Sequence, residues 1–221
     1  MKLQRALIVA AVLIAATAVL GFWGYGRLPA GAVMGYNFGL DGRPHAFMSK
    51  AVGLSLMPAI GAGVVLLLAL LPRLAPIKKG LAESAEPYGL LVTGLAAIFL
   101  VSEAALIAHA LDASFDVLRW VFLAVAALLV LLGNFLGKVR HNFVFGVRTP
   151  WTLTDARVWD KTHRFTGRLL LAGGVLLAAG CLAALGHLAL IGLIVACAAG
   201  PLIAGVVYSW TIRSARLTID G

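Results

Sequence analysis

GRLLLAGGVLLAAGCLAALGHLALIGLIVACAAGPLIAGVVYSW, residues 167–210, is interrupted only at Leu185-Gly186-His187. A bilayer core of about 30 Å takes about 20 apolar residues as a helix, and this run is about twice that long. It therefore reads as two spanning helices, 167–186 and 188–210, joined by a tight turn. Working outward, four more segments meet the same length criterion: 118–137, 88–110, 51–71 and 4–26. The fold class expected is all-α: a polytopic membrane protein with a bundle of six transmembrane helices.

Composition agrees with that reading. The chain of 221 residues is 62% hydrophobic and 12% charged, whereas a soluble domain is about half apolar and about a quarter charged. Lipid must therefore solvate much of the surface. Pro58 and Pro201 fall inside helices two and six, where membrane helices tolerate them. Ala16-Thr17-Ala18 resembles a signal-peptidase site, but the apolar run continues through Phe22 and Trp23. An uncleaved first helix is expected. Cys181 and Cys197 lie in apolar runs and read as small packing residues.

The net charge of +9 would suggest nucleic acid in a soluble protein, but here the charges follow topology. With the N-terminus inside, fourteen of the eighteen Lys and Arg residues fall in cytoplasmic segments, among them Lys2, Arg5, Arg73, Lys78, Lys79, Arg213 and Arg216. Arg27, Arg43, Lys50 and Arg119 fall outside. Short loops rich in Lys and Arg stay cytoplasmic, which places both termini in the cytoplasm. Two connections are longer than the rest, the outer loop 27–50 and the inner loop 138–166, and long loops in a compact fold are often functional.

In the outer loop, Asp41-Gly42 and Arg43-Pro44 are turn chemistry. Asn37, Asp41 and Lys50 are its candidate polar residues. The bland reading is a folded connector. In the inner loop, Pro150 disfavours helix at Thr149, and Thr152-x-x-Asp155 can cap a new helix running from about 153 into helix five. Trp159 and His163 are four apart and share a face; Asp160 and Arg164 can pair. Asn134, Lys138, Arg140, Asn142, Arg148, Thr149, Pro150, Trp151, Trp159, His163 and Arg164 form the candidate ligand- or partner-binding set. Arginines, amides and indoles together suit phosphate, carboxylate or carbonyl groups. The plain alternative is a self-folding basic loop resting on anionic headgroups.

The same residues, from Gly133-Asn134 through Arg148-Thr149-Pro150-Trp151-Thr152-Leu153, Val158-Trp159, Thr162-His163-Arg164 and Gly167, resemble the signature of the SdpI family of bacterial membrane immunity and signalling proteins. The outer loop is similar to a short domain of unknown function often found before that signature. Leu28-Pro29, Phe38, Gly42 and Ser49-Lys50 fit its pattern, and Asn37 stands where histidine is usual. The resemblance implies a multi-pass protein of the bacterial cytoplasmic (inner) membrane, immunity against a toxic peptide, and capture of a cytoplasmic regulator. It divides the chain into a two-helix unit, 1–72, and a four-helix SdpI-like unit, 73–221. The expected partners are membrane lipid, a peptide toxin outside and a cytoplasmic regulator inside, with no direct nucleic acid contact.

Glu103 is the one acidic residue well inside a span, and an intramembrane carboxylate is by default a functional hypothesis. It is expected to be neutral at pH 7 or paired within the bundle. The alternative function is a small proton-coupled transporter or lipid-processing protein using Glu103. A continuous polar cavity from Glu103 to Asn134 would favour transport; a tightly packed Glu103 with a shallow inner pocket lined by Arg148 and Trp151 would favour binding. No catalytic residue, cofactor or metal site is expected, because no nucleophile–base pair or ligand spacing is present.

Overall fold

The computed structural model describes residues 3–74 and 83–217. Lys2, Lys78 and Lys79 of the inner charge set lie outside them, as does the side chain of Arg216. Helix α1 spans Leu3–Arg27 and a hairpin follows, with β1 at Val33–Phe38 and β2 at Pro44–Ser49. Then come α2 (Lys50–Leu74), α3 (Ala85–Leu111) and α4 (Val117–Leu136). A short α5 (Pro150–Thr154), α6 (Ala156–Leu182) and α7 (His187–Leu217) complete the order. All but α5 are long and apolar enough to cross a membrane, six in total among the described residues. The chain is a multi-pass membrane protein. Large apolar side chains such as Phe22, Leu66, Leu176 and Leu182 remain exposed on the helices, as expected where lipid is the solvent.

The outer loop folds as an antiparallel hairpin, which turn chemistry alone did not predict. Its register runs from Val33 opposite Ser49 to Phe38 opposite Pro44. Gly42 N donates to Gly39 O at 3.0 Å, and Gly39 N to Arg43 O at 2.9 Å. Gly42 has φ +75°, the left-handed position that such a hairpin turn requires. Met34 is buried with Leu28, Leu54 and Ile107, which seats the hairpin on α1, α2 and α3.

α1 packs on α2 and α3, α3 on α4, α4 on α6, and α6 on α7. The α4–α6 contact is the most extensive among the described helices. A Cβ at Gly133 would collide with the Leu171 amide and lie 2.7 Å from Gly167 O, and one at Gly167 would lie 2.7 Å from Gly133 O. Small residues let membrane helices approach at this range, where dispersion rather than hydrophobic exclusion holds them. Ala126, Leu129, Leu170, Leu177 and Leu190 form the core of this half. Tyr88, Val92 and Ala96 of α3 pack with Ala10 of α1, and Val144 and Phe145 of the basic loop close over that cluster.

Candidate functional site

The basic loop is a folded object at the end of the bundle opposite the hairpin. Its first half is organised by Asn142, which is fully buried. The Asn142 amide donates to Arg140 O at 2.8 Å, and its oxygen accepts from Val144 N at 2.8 Å and Phe145 N at 3.0 Å. This side chain thus imitates backbone and turns the chain. Ser84, at the start of α3, ties the loop down by accepting from Arg140 N at 2.9 Å.

The second half is built on threonine. Thr149 caps α5: its side chain accepts from Thr152 N, and Thr152 Oγ1 accepts from Thr149 N in return. Pro150 occupies the first turn, where a missing N–H costs nothing. The expected single helix from 153 is therefore two. α5 ends at Asp155, whose side chain caps α6 through Arg157 N and Val158 N. Thr152 lies inside the short helix, and Thr149 takes the capping role expected of it; the reciprocal pair satisfies two amides that the start of α5 would otherwise leave bare.

Between the halves lies a buried aromatic stack. Trp159 and His163 share a helix face, as their spacing predicts, with ring centroids 4.0 Å apart. Both are fully buried. Trp159 Nε1 donates to Val139 O at 2.8 Å. His163 Nε2 accepts from Val147 N at 3.0 Å, so Nδ1, 2.8 Å from Trp159 O, must be the ring's N–H donor. A neutral imidazole with one donor and one acceptor fits both contacts. His141 adds an edge contact to Trp159 at 5.1 Å and contacts Leu153 O through Nε2 at 2.8 Å. Gly146, at φ +119°, lies against His163: a Cβ there would overlap the ring nitrogen.

The candidate residues thus divide. Asn142, Trp159 and His163 come together as the loop's interior, with their polar atoms partnered inside the chain. Trp151 turns away to α7, where Nε1 donates to Ser209 Oγ at 2.6 Å. Its ring meets Trp210 at 5.1 Å, with the Arg213 guanidinium 5.4 Å above it. Thr149 is buried and Pro150 exposed. Lys138, Arg140, Arg148 and Arg164 are exposed on the loop's outer surface, and Asn134 is exposed on α4. Arg148 Nη1 donates to Phe143 O at 2.8 Å, and the residue is exposed. Lys138 Nζ rests 4.4 Å over Phe135. Asp160 and Arg164 are absent from the ion pairs among the described residues.

Residues 138–209, which hold this loop, α6 and most of α7, match the model of the SdpI/YfhL protein family. It is 38% identical over 52 residues to the immunity protein SdpI of Bacillus subtilis (strain 168), a match covering 24% of this chain and 25% of that protein. The chain thus aligns with about a quarter of that relative's length. No solved structure matches. Within the matched segment, the capped threonines and the Trp159–His163 stack are the residues that give the loop its shape.

A second cluster, at the hairpin end, was not expected from the sequence. Asp116 caps α4 by accepting from Arg119 N at 3.1 Å; it also accepts from Arg119 Nε at 2.9 Å and contacts His187 Nε2 at 3.0 Å. Burial alone would raise the Asp116 carboxyl, but the His187 ring and the Arg119 amide and guanidinium outweigh it and hold the group below its ordinary value. Arg119 also donates to Cys181 O at 2.7 Å and Leu185 O at 3.1 Å, satisfying carbonyls at the end of α6. The hairpin turn at Gly42 sits on His187. Beside it is a cavity of about 530 Å³ lined by Arg43, Phe47, His109, Phe115, Asp116 and His187. The readable signal was Asp116 three residues before Arg119 at a helix start. Nothing local pointed to His187.

Lys50 and Asp41 also have structural partners. Lys50 Nζ donates to Leu28 O at 2.8 Å and Tyr25 O at 3.1 Å, closing the end of α1. Asp41 Oδ1 accepts from Arg43 N at 3.0 Å, and this backbone amide foremost holds its carboxyl below the ordinary value. Asn37 takes φ +56° within β1.

Proposed function

We propose that this chain is a membrane immunity-type protein of a bacterial cell membrane, with both termini and the basic loop in the cytoplasm and the hairpin outside. On this reading the basic loop is the working surface: it binds an anionic group, either a lipid headgroup or an acidic patch on a cytoplasmic regulator, while a toxic peptide is met from outside. The observation that supports it most directly is the division of labour in the loop. Asn142, Thr149, Thr152, Trp159 and His163 hold its shape from within. Arg140, Arg148 and Arg164 stand on the surface of that rigid frame. An anchoring loop needs only charge; a frame built this tightly around outward guanidinium groups suits paired hydrogen bonds to an anion. The family of the segment and the printed name of its relative point to the same class of role. Glu103 is fully buried between the helices, which supports binding over a continuous transport path.

Arg148→Lys is the test. Lysine keeps the charge but not the planar fork, so insertion and abundance should match wild type while protection in a toxin challenge is lost. Wild-type protection at normal protein levels would leave the loop as a membrane anchor only.

A further inference from the structure

Three features far apart in the chain meet at one point between α1, α2 and α3. Glu103 of α3 is fully buried, and neither carboxyl oxygen has a hydrogen-bond partner among the described residues. Gly21 of α1 faces it: a Cβ at Gly21 would lie 2.9 Å from Glu103 Oε1 and 2.7 Å from the Leu54 carbonyl oxygen of α2. Leu54 O would ordinarily accept the amide of residue 58, but residue 58 is proline and has no N–H. The missing side chain at Gly21 and the missing amide at Pro58 therefore place a carboxyl group and a freed carbonyl oxygen on the same small space.

Two oxygen acceptors facing each other in an apolar interior repel unless something lies between them. An ionised carboxylate there would be unpaired, at a cost of several kcal/mol or more. A carboxylic acid, by contrast, has one O–H donor to offer. The titratable groups on the three helices are Arg5, Tyr25 and Arg27, Lys50 and Arg73, and Glu86, Tyr88 and His109. None is partnered with Glu103. Lys50, one turn from Leu54, is committed to the Tyr25 and Leu28 carbonyls. His109, about 9 Å further along α3, donates from Nδ1 to Phe115 O at 2.9 Å and lines the hairpin-end cavity.

We propose that Glu103, Leu54 O and Gly21 form a proton-binding site inside the bundle, in which Glu103 carries a proton shared with the Leu54 carbonyl that Pro58 frees. The site is separate from the basic loop and stands or falls without it. Losing the proton would set a carboxylate of α3 against Leu54 O of α2 and push those two helices apart beside Gly21, so proton occupancy is tied to the packing of α2, the helix that follows the hairpin.

The experiment is infrared spectroscopy of the full chain in lipid nanodiscs. At pH 7 the spectrum should show a carboxylic acid C=O stretch that shifts in D2O and disappears in Glu103→Gln. Raising the pH should remove it. Pro58→Ala returns an amide to Leu54 O, so the band should move to the frequency of a free acid. Absence of the band in wild type at pH 7 would overturn the proposal without need of any variant. So would its loss on adding sodium at constant pH, which would make the site one for a metal cation. An unchanged band in folded Pro58→Ala would remove the Leu54 carbonyl as partner.

Discussion

Asn142 makes three hydrogen bonds, one to a carbonyl and two from amides, in a segment with no regular ladder to satisfy them. Asn142→Ala should strand those groups and cost about 1–3 kcal/mol, read as a lower midpoint in thermal unfolding in detergent. Insertion should be unaffected, because the spans do not depend on the loop. Asn142, Trp159 and His163 drew attention in the sequence through their residue types and spacing. The shared face of Trp159 and His163 was legible because helical periodicity is local. Their burial was not, since it depends on Val139 and Val147 folding back over them.

At the scale of elements, the α4–α6 contact rests on Gly133 and Gly167. Gly133→Leu places its first carbon against backbone atoms of α6 that cannot move aside independently, so the helices must part and the purified yield should collapse. Gly200 of α7 has nothing within 4 Å of a Cβ; Gly200→Ala should be neutral or stabilising by about 1 kcal/mol through helix propensity. Equal effects of the two changes would contradict close packing at Gly133. The other end of these helices is held by Asp116. Its folded value lies below the ordinary one, so its contribution is complete above ~3.9 and is lost as pH falls through the folded value. Among the described residues, His187 and Arg119 pair with it, and Arg43 and His109 line the same cavity. Acid should therefore lower the unfolding midpoint of wild type more steeply than that of Asp116→Asn, measured in detergent from neutral to acid pH.

For the whole molecule, the expected orientation puts the hairpin outside. Leu40, at its turn, is 60% exposed, whereas Cys181 and Cys197 are buried. Leu40→Cys should react with an impermeant thiol reagent in intact cells. Labelling only after lysis would invert the topology and with it the cytoplasmic reading of the basic loop. Leu40 is a better reporter than Asn37, whose positive φ disfavours cysteine.

Six spanning segments, their approximate ends and the two long loops follow from the sequence by itself, because lipid selects for length and hydropathy, and both are sums over neighbouring residues. The helical face shared by Trp159 and His163 follows for the same reason. Only the tertiary structure decided that the outer loop is a hairpin seated on three helices, that Arg119 closes the end of α6, and that the basic loop turns its indole and imidazole inward. The meeting of Gly21, Leu54 and Glu103 belongs to that second group. Each is unremarkable alone: a glycine, a carbonyl before a proline and a carboxyl. Their relation arises from how α1, α2 and α3 pack, and packing is set by the fit of whole helix faces across separations that no local pattern records.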